Sequence, residues 1–146
     1  MSVFYDHIAL AVTELERSLD FYRDILGLDY SSTRQLSDGR YQAVFHVGEE
    51  ILVLFRHGDG RYNEKVRKPR SGMHHLAFRM SASSYDAVVD RCKANGVTIR
   101  RQEVNSGALG EGYATYFYDP DGNEIEIKKY EHDANFEEQT GSDYHV

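Results

Sequence analysis

Asp6-His7-Ile8-Ala9-Leu10 near the start of the chain and His74-His75-Leu76-Ala77-Phe78 in its second half are two versions of one phrase, a histidine leading an apolar, strand-forming run. His7 and His75 lie 68 positions apart (7 to 75), about half of the 146 residues. Gly27 and Gly96, each placed to close the helix that follows the phrase, keep nearly the same offset. A repeat this long means two copies of one supersecondary unit packed together, not a solenoid. One imidazole at the same place in each copy puts two metal-ligating groups near the seam between the copies. A metal site is therefore the leading chemical expectation.

Composition bounds the rest. At 146 residues with 40% apolar content the chain can bury a core of its own. No apolar run approaches the ~20 residues needed to span a bilayer, and Met1-Ser2-Val3-Phe4-Tyr5-Asp6 has neither the basic nor the apolar region of a secretory signal. Cys92 is the single cysteine, so no intrachain disulfide forms and a reducing, cytoplasmic setting is expected. Its plain reading is a partly buried helix residue. A net charge of −7 argues against nucleic acid as a partner, and nothing points to a membrane.

The pattern reads βαβββ, twice, which makes an α+β fold. Residues 3–12 form a nearly continuous apolar run, as expected of a strand covered on both faces. Thr13 is placed to cap a helix whose Leu15, Leu19, Tyr22 and Leu26 share one face, and Gly27 ends it. Strands follow at 28–35, 40–47 and 50–56, divided by turns at Ser37-Asp38-Gly39 and Gly48-Glu49. The second copy reads as a strand at 73–80, a helix at 82–95 capped by Ser81, and strands near 97–104, 111–118 and 123–130. One domain over 1–130 is expected, with modules at 3–57 and 72–130. Between them lies a basic linker, 58–71, carrying Arg61, Lys65, Arg67, Lys68 and Arg70, whose charges read mainly as solvation and secondarily as steering for an anionic substrate. Residues 131–146 form an acidic tail without periodicity, read as disordered or lying on a partner chain.

The third ligand candidate sits in the last strand. Asp119-Pro120-Asp121-Gly122-Asn123 is a turn sequence, and Glu124-Ile125-Glu126-Ile127 follows it directly. Alternation puts Glu124 and Glu126 on one face. An isolated run of this kind reads as solvent-facing. If the strand lines the same cavity as the two histidine strands, Glu126 completes two imidazoles and one carboxylate, a set that leaves positions open on a divalent ion.

The repeat also asks whether a fourth ligand exists. Aligning Gly48 with Gly122 sets Leu52 opposite Glu126, and the neighbours Ile51, Val53 and Leu54 are apolar too, so the first copy offers no carboxylate there. His57 is a weak extra candidate. His74, next to His75, turns to the opposite face by alternation; His46, His132 and His145 read as surface residues.

These phrases, together with Ser18-Leu19-Asp20-Phe21-Tyr22, Ile25-Leu26-Gly27-Leu28 and Tyr118-Asp119-Pro120-Asp121-Gly122-Asn123, resemble the vicinal oxygen chelate superfamily of glyoxalases, bleomycin-resistance proteins and ring-cleaving dioxygenases. The resemblance covers residues 3 to 130. It implies paired βαβββ modules forming a cupped mixed sheet around one divalent ion (Fe, Mn, Ni, Zn or Mg), usually in a homodimer, with His7, His75 and Glu126 as ligands. The two modules pair within one chain or swap between subunits.

Departures from the family pattern bear on the reaction. Glyoxalase I enzymes usually carry a glutamate where Leu52 or its apolar neighbours stand here. Extradiol dioxygenases resemble the chain at Tyr116, Asp119, Pro120, Gly122 and Glu126, but Leu109, Gly110, Glu111 and Gly112 occupy the stretch where their acid–base histidine falls. Fosfomycin-resistance thiol transferases share the three ligands, but their antibiotic- and potassium-binding residues find no match in this sequence. The catalytic candidates are Tyr116 and Glu124, and Arg56, Tyr41 and Tyr113 are candidates for binding substrate. The expectation is a metal-dependent isomerase or lyase acting on a small, vicinally oxygenated molecule. The alternatives are an iron- or manganese-dependent dioxygenase and a metal-free drug- or metabolite-binding protein.

Overall fold

The computed structural model describes residues 2–56 and 72–131. The basic linker, His57, and the tail beyond Glu131 with His132 and His145 lie outside the described residues. The chain divides into two compact units at Gly72 and Met73.

In the first unit, β1 (His7–Ala11) is followed by α1 (Leu15–Leu19), a π-helical turn (Asp20–Ile25), β2 (Asp29–Gln35), β3 (Tyr41–Val47) and β4 (Glu50–Arg56). The sheet order is β1-β4-β3-β2, with β1 parallel to β4 and the other pairs antiparallel. Alternation places Leu10, Ala43, Phe45, Leu52 and Leu54 on one face, all buried, against Leu15, Leu19 and Tyr22 of the helix. The opposite face carries His7, Ala9 and Ala11, which are exposed within the described chain.

Two expectations change here. The first strand is His7–Ala11 rather than 3–12: Val3, Phe4 and Tyr5 are about four-fifths exposed, and β1 is an edge strand that pairs only with β4 in its own sheet. The helix α1 starts at Leu15, one residue later than a Thr13 cap implies, with Glu14 at the N-cap position and no side-chain cap bond from Glu14. The helix then widens, the Leu26 N–H donating to the Phe21 carbonyl five residues back at 2.8 Å. That wider turn buries Phe21 and Tyr22 side by side.

The second unit repeats the plan with β5 (Leu76–Arg79), α2 (Ala82–Ala94), β6 (Arg101–Gly107), β7 (Gly110–Tyr118) and β8 (Glu124–Lys129), in the order β5-β8-β7-β6. Ser81 caps α2 as expected, its Oγ accepting from the Ser84 N–H at 3.2 Å. Phe78, Phe117, Ile125 and Ile127 pack beneath Tyr85, Val88, Val89 and Cys92. Burial pushes the Cys92 thiol up to about 11, which makes it a core residue with little thiolate character. β6 starts at Arg101 rather than near Val97, whose N–H instead closes the end of α2 on the Cys92 carbonyl at 2.8 Å.

The turn before β8 sets that strand's position. Asp119 is buried, and its Oδ1 accepts from the N–H groups of Asp121 (3.0 Å) and Asn123 (2.8 Å) while Oδ2 accepts from Asn123 Nδ2 (2.8 Å). Gly122 takes a positive φ of 79°. The resulting register pairs Ala77 with Glu126 on one side and Tyr116 with Glu126 on the other. Among the described residues no helix is long and apolar enough to cross a membrane.

Candidate metal centre

Glu124, Glu126 and Lys128 alternate with Ile125 and Ile127 along β8, so they stand on the sheet face opposite α2. Glu126 is only 4% exposed, and its Oε2 lies 2.9 Å from Nε2 of His75, the residue just before β5. A buried carboxylate needs partners, and Glu126 has several. Lys128 Nζ lies 3.6 Å from Oε1. The Tyr116 hydroxyl, on the residue directly across the ladder from Glu126, accepts from Asn105 Nδ2 at 2.7 Å. Burial, and then the Glu126 carboxylate close by, push the Tyr116 phenol above its ordinary value. At neutral pH Tyr116 is thus a proton-bearing donor rather than a base.

His74 departs from expectation. It precedes β5, so strand alternation does not govern it, and its Nδ1 meets His75 Nδ1 at 2.8 Å with the rings edge-on. For His75 to offer Nε2 to an ion, its proton must sit on Nδ1 and be donated to His74. This is the outer-sphere contact that fixes a ligating tautomer.

In the first unit His7 opens β1, and its Nδ1 lies 2.5 Å from Asp6 Oδ1. A ring that donates from Nδ1 to a carboxylate presents its Nε2 lone pair, which is how metal-binding histidines are oriented. The register also locates the first-unit counterpart of Glu126. Ala77, two past His75, pairs with Glu126, whereas Ala9, two past His7, pairs with Val53. Counting from the glycine selects Leu52, one residue off; Leu52 lies on the helix face with Leu54 and Phe45. The conclusion is unchanged, because Val53 is buried and apolar.

The other sequence candidates fall as follows. Glu124 shares the face of Glu126, but its carboxylate lies 3.6 Å from Arg100 and 3.7 Å from Arg101. Tyr41 and Arg56 pair with each other across β3 and β4 on the helix face of the first sheet, opposite to His7. Tyr113 lies on the α2 face of the second sheet, its hydroxyl donating to Glu131 at 3.0 Å, because three residues separate it from Tyr116. It lines a groove of about 820 Å³ with Tyr85, Val89 and Lys129, on the face away from His75 and Glu126. The structure therefore brings His75, Glu126, Tyr116 and Glu124 to one face of the second sheet and does not bring Tyr113 there.

Sequence reading missed Lys128, Asn105 and the orienting role of Asp6. Lys128 was detectable, since it is two residues past Glu126 on the same strand; Asn105 was not, because its role depends on a contact with Lys128, 23 residues away on β8. Among the described residues no three histidine, cysteine, aspartate or glutamate side chains form a ready cluster. The pair that does form, a buried carboxylate oxygen against an imidazole nitrogen, is a donor set suited to a borderline divalent ion.

Residues 5–127 match the family model described as Glyoxalase/Bleomycin resistance protein/Dioxygenase superfamily. The chain belongs to that superfamily. Among its relatives in the superfamily, a virulence protein of Salmonella typhimurium is 29% identical over 125 residues, covering 86% of this chain and 83% of the relative. The metallothiol transferase FosB of Staphylococcus epidermidis is 31% identical over 126 residues, covering 84% and 80%. An integron cassette protein from the mobile metagenome of V. Cholerae superposes with a TM-score of 0.65 at 29% identity, over 89% of this chain and 98% of that one. The two-fold βαβββ plan is thus the superfamily's fold.

Proposed function

We propose that this chain is a divalent-metal-dependent enzyme acting on a small oxygenated substrate, with His7, His75 and Glu126 as the protein ligands of one ion. The observation that carries this reading is the 2.9 Å approach of His75 Nε2 to the buried Glu126 carboxylate. When bound, a divalent ion supplies Lewis-acid polarisation of two neighbouring substrate oxygens. A homodimer belongs to the same proposal.

The reaction class follows from what the remaining groups do. An isomerase or lyase of this kind asks for a base beside the ion, and a ring-cleaving dioxygenase asks for an acid–base group. On the Glu126 face Tyr116 holds its proton, Glu124 is matched by two guanidiniums, and the counterpart of Glu126 in the first unit is Val53. Group transfer from a thiol suits such a site, since a thiolate arrives as its own nucleophile. The thiol gives up its proton to solvent, the S–C bond forms as a C–O bond of the electrophile breaks, and the freed alkoxide takes up a proton from solvent, so the thiol adds across the C–O bond. The likeness to a metallothiol transferase supports this class over the isomerase, lyase and dioxygenase readings.

The test is loss of free thiol when the metal-loaded protein meets glutathione or cysteine and a panel of small epoxides. The expected result is metal-dependent thiol consumption that Glu126→Gln abolishes. Oxygen uptake with catechols, or turnover of a hemithioacetal without thiol consumption, contradicts the transferase reading.

A further inference from the structure

Among the described residues Lys128 is the one buried lysine or arginine, and it sits two positions from Glu126 on the same strand face. The room for its side chain is built in. A Cβ at Gly107 would come within 2.7 Å of Lys128 Cε and 2.5 Å of the Tyr130 hydroxyl, and a Cβ at Gly112 within 2.7 Å of Tyr130 Cδ1. Two side-chain-free positions on the β6–β7 hairpin therefore let the lysine stem and the Tyr130 ring lie flat against the sheet. The ammonium ends at Asn105, donating to its backbone carbonyl at 3.2 Å and to its side-chain oxygen. From there it lies 3.6 Å from Oε1 of Glu126, while Oε2 faces His75. The two carboxylate oxygens face different groups.

We propose that Lys128 is a built-in counter-ion to Glu126 that competes with the metal for this carboxylate and so sets the affinity of the centre. The inference rests on His75 and Glu126 being metal ligands. A buried carboxylate without a partner is costly, and the ammonium supplies that partner when no ion is bound. An ion arriving at Oε2 meets a carboxylate already shared, with a like charge close by in a poorly screened setting. Binding is weakened, and the ion draws less charge from Glu126, so it is left more electron-poor toward substrate oxygens.

The experiment compares Lys128→Met, which removes the charge and keeps the stem, with Lys128→Arg, which keeps the charge. The readouts are the Mn²⁺ dissociation constant of the metal-free proteins and the rise in Tm that Mn²⁺ produces. Lys128→Met is expected to melt lower than the parent without metal, to bind Mn²⁺ about tenfold more tightly, and to gain more in Tm on loading. Lys128→Arg is expected to stay near the parent. If Lys128→Met does not fold, Lys128→Gln, which is neutral but can still bond to Asn105, carries the same expectation. Equal losses of Tm with and without Mn²⁺, at unchanged or weaker affinity, show that Lys128 only packs, and overturn the proposal while leaving the metal reading intact. A parent that binds neither Mn²⁺ nor Zn²⁺ overturns both.

Discussion

Val53 and Glu126 hold equivalent positions in the two units, each paired across a parallel ladder with the alanine two residues past the unit's leading histidine. One unit thus places a carboxylate beside its histidine strand, and the other places a buried valine. The proposed centre has Glu126 as its single carboxylate ligand, and the other acidic group on that face, Glu124, is paired with Arg100 and Arg101, so no free carboxylate serves proton-shuttling isomerisation. The metal-loaded protein is therefore expected not to isomerise the hemithioacetal of methylglyoxal and glutathione. The direct assay is formation of the thioester product, and appreciable turnover would falsify the single-carboxylate account.

Tyr116 stands across the ladder from Glu126, and its hydroxyl accepts from Asn105 Nδ2 at 2.7 Å. Tyr116→Phe leaves that donor without its acceptor and is expected to lower stability by about 1–3 kcal/mol in urea unfolding. The phenol's folded value is raised above the ordinary 10.0. Its contribution is fully present below that pH and is lost as pH rises through the raised folded value. The parent's stability advantage over Tyr116→Phe should accordingly shrink on going above pH 10, as measured by parallel melts; an advantage constant with pH contradicts the assigned proton.

Asp119 ties down the turn that sets the register of Glu126 through three hydrogen bonds at one buried carboxylate. Asp119→Ala is expected to cost on the order of 3 kcal/mol, since it leaves turn donors without their charged acceptor. Metal binding should weaken along with stability, because β8 carries Glu126, the proposed ligand. Unchanged metal affinity in a destabilised variant would separate the turn from the centre.

His7 depends on Asp6 for its orientation, at 2.5 Å from Nδ1. Asp6→Asn is expected to weaken metal binding by about tenfold, the usual scale for loss of a carboxylate behind a ligating histidine. Both side chains are well exposed, so the melting temperature without metal should hardly move. Calorimetric titration with Zn²⁺ checks this, and an affinity equal to the parent's removes His7 from the ligand set.

Much of this was legible in the chain itself. The repeated histidine phrase, the Ser81 cap, the strand 50–56 and the Asp-Pro-Asp-Gly-Asn turn are local patterns, and local patterns read directly. The length of β1 did not read correctly, because apolar residues such as Val3 and Phe4 do not by themselves say how far a pairing partner extends. Leu52 rather than Val53 was set opposite Glu126 because the parallel ladders start one residue apart relative to the turn glycines, a register difference that residue counting does not capture. Tyr113 reads as a candidate for binding substrate, yet its odd separation from Tyr116 along the strand puts the two rings on opposite faces of the sheet. The pairing of Lys128 with Asn105 spans 23 residues and depends on two glycines that make room for it; only the folded sheet shows that.

The central claim, that His75 and Glu126 hold a divalent ion, is tested most directly by elemental analysis of the purified protein beside His75→Ala prepared identically. The account predicts close to one transition-metal or magnesium ion per chain in the parent and its loss in the variant. A parent that carries no ion and takes up none from Mn²⁺, Zn²⁺, Ni²⁺ or Fe²⁺ would contradict it.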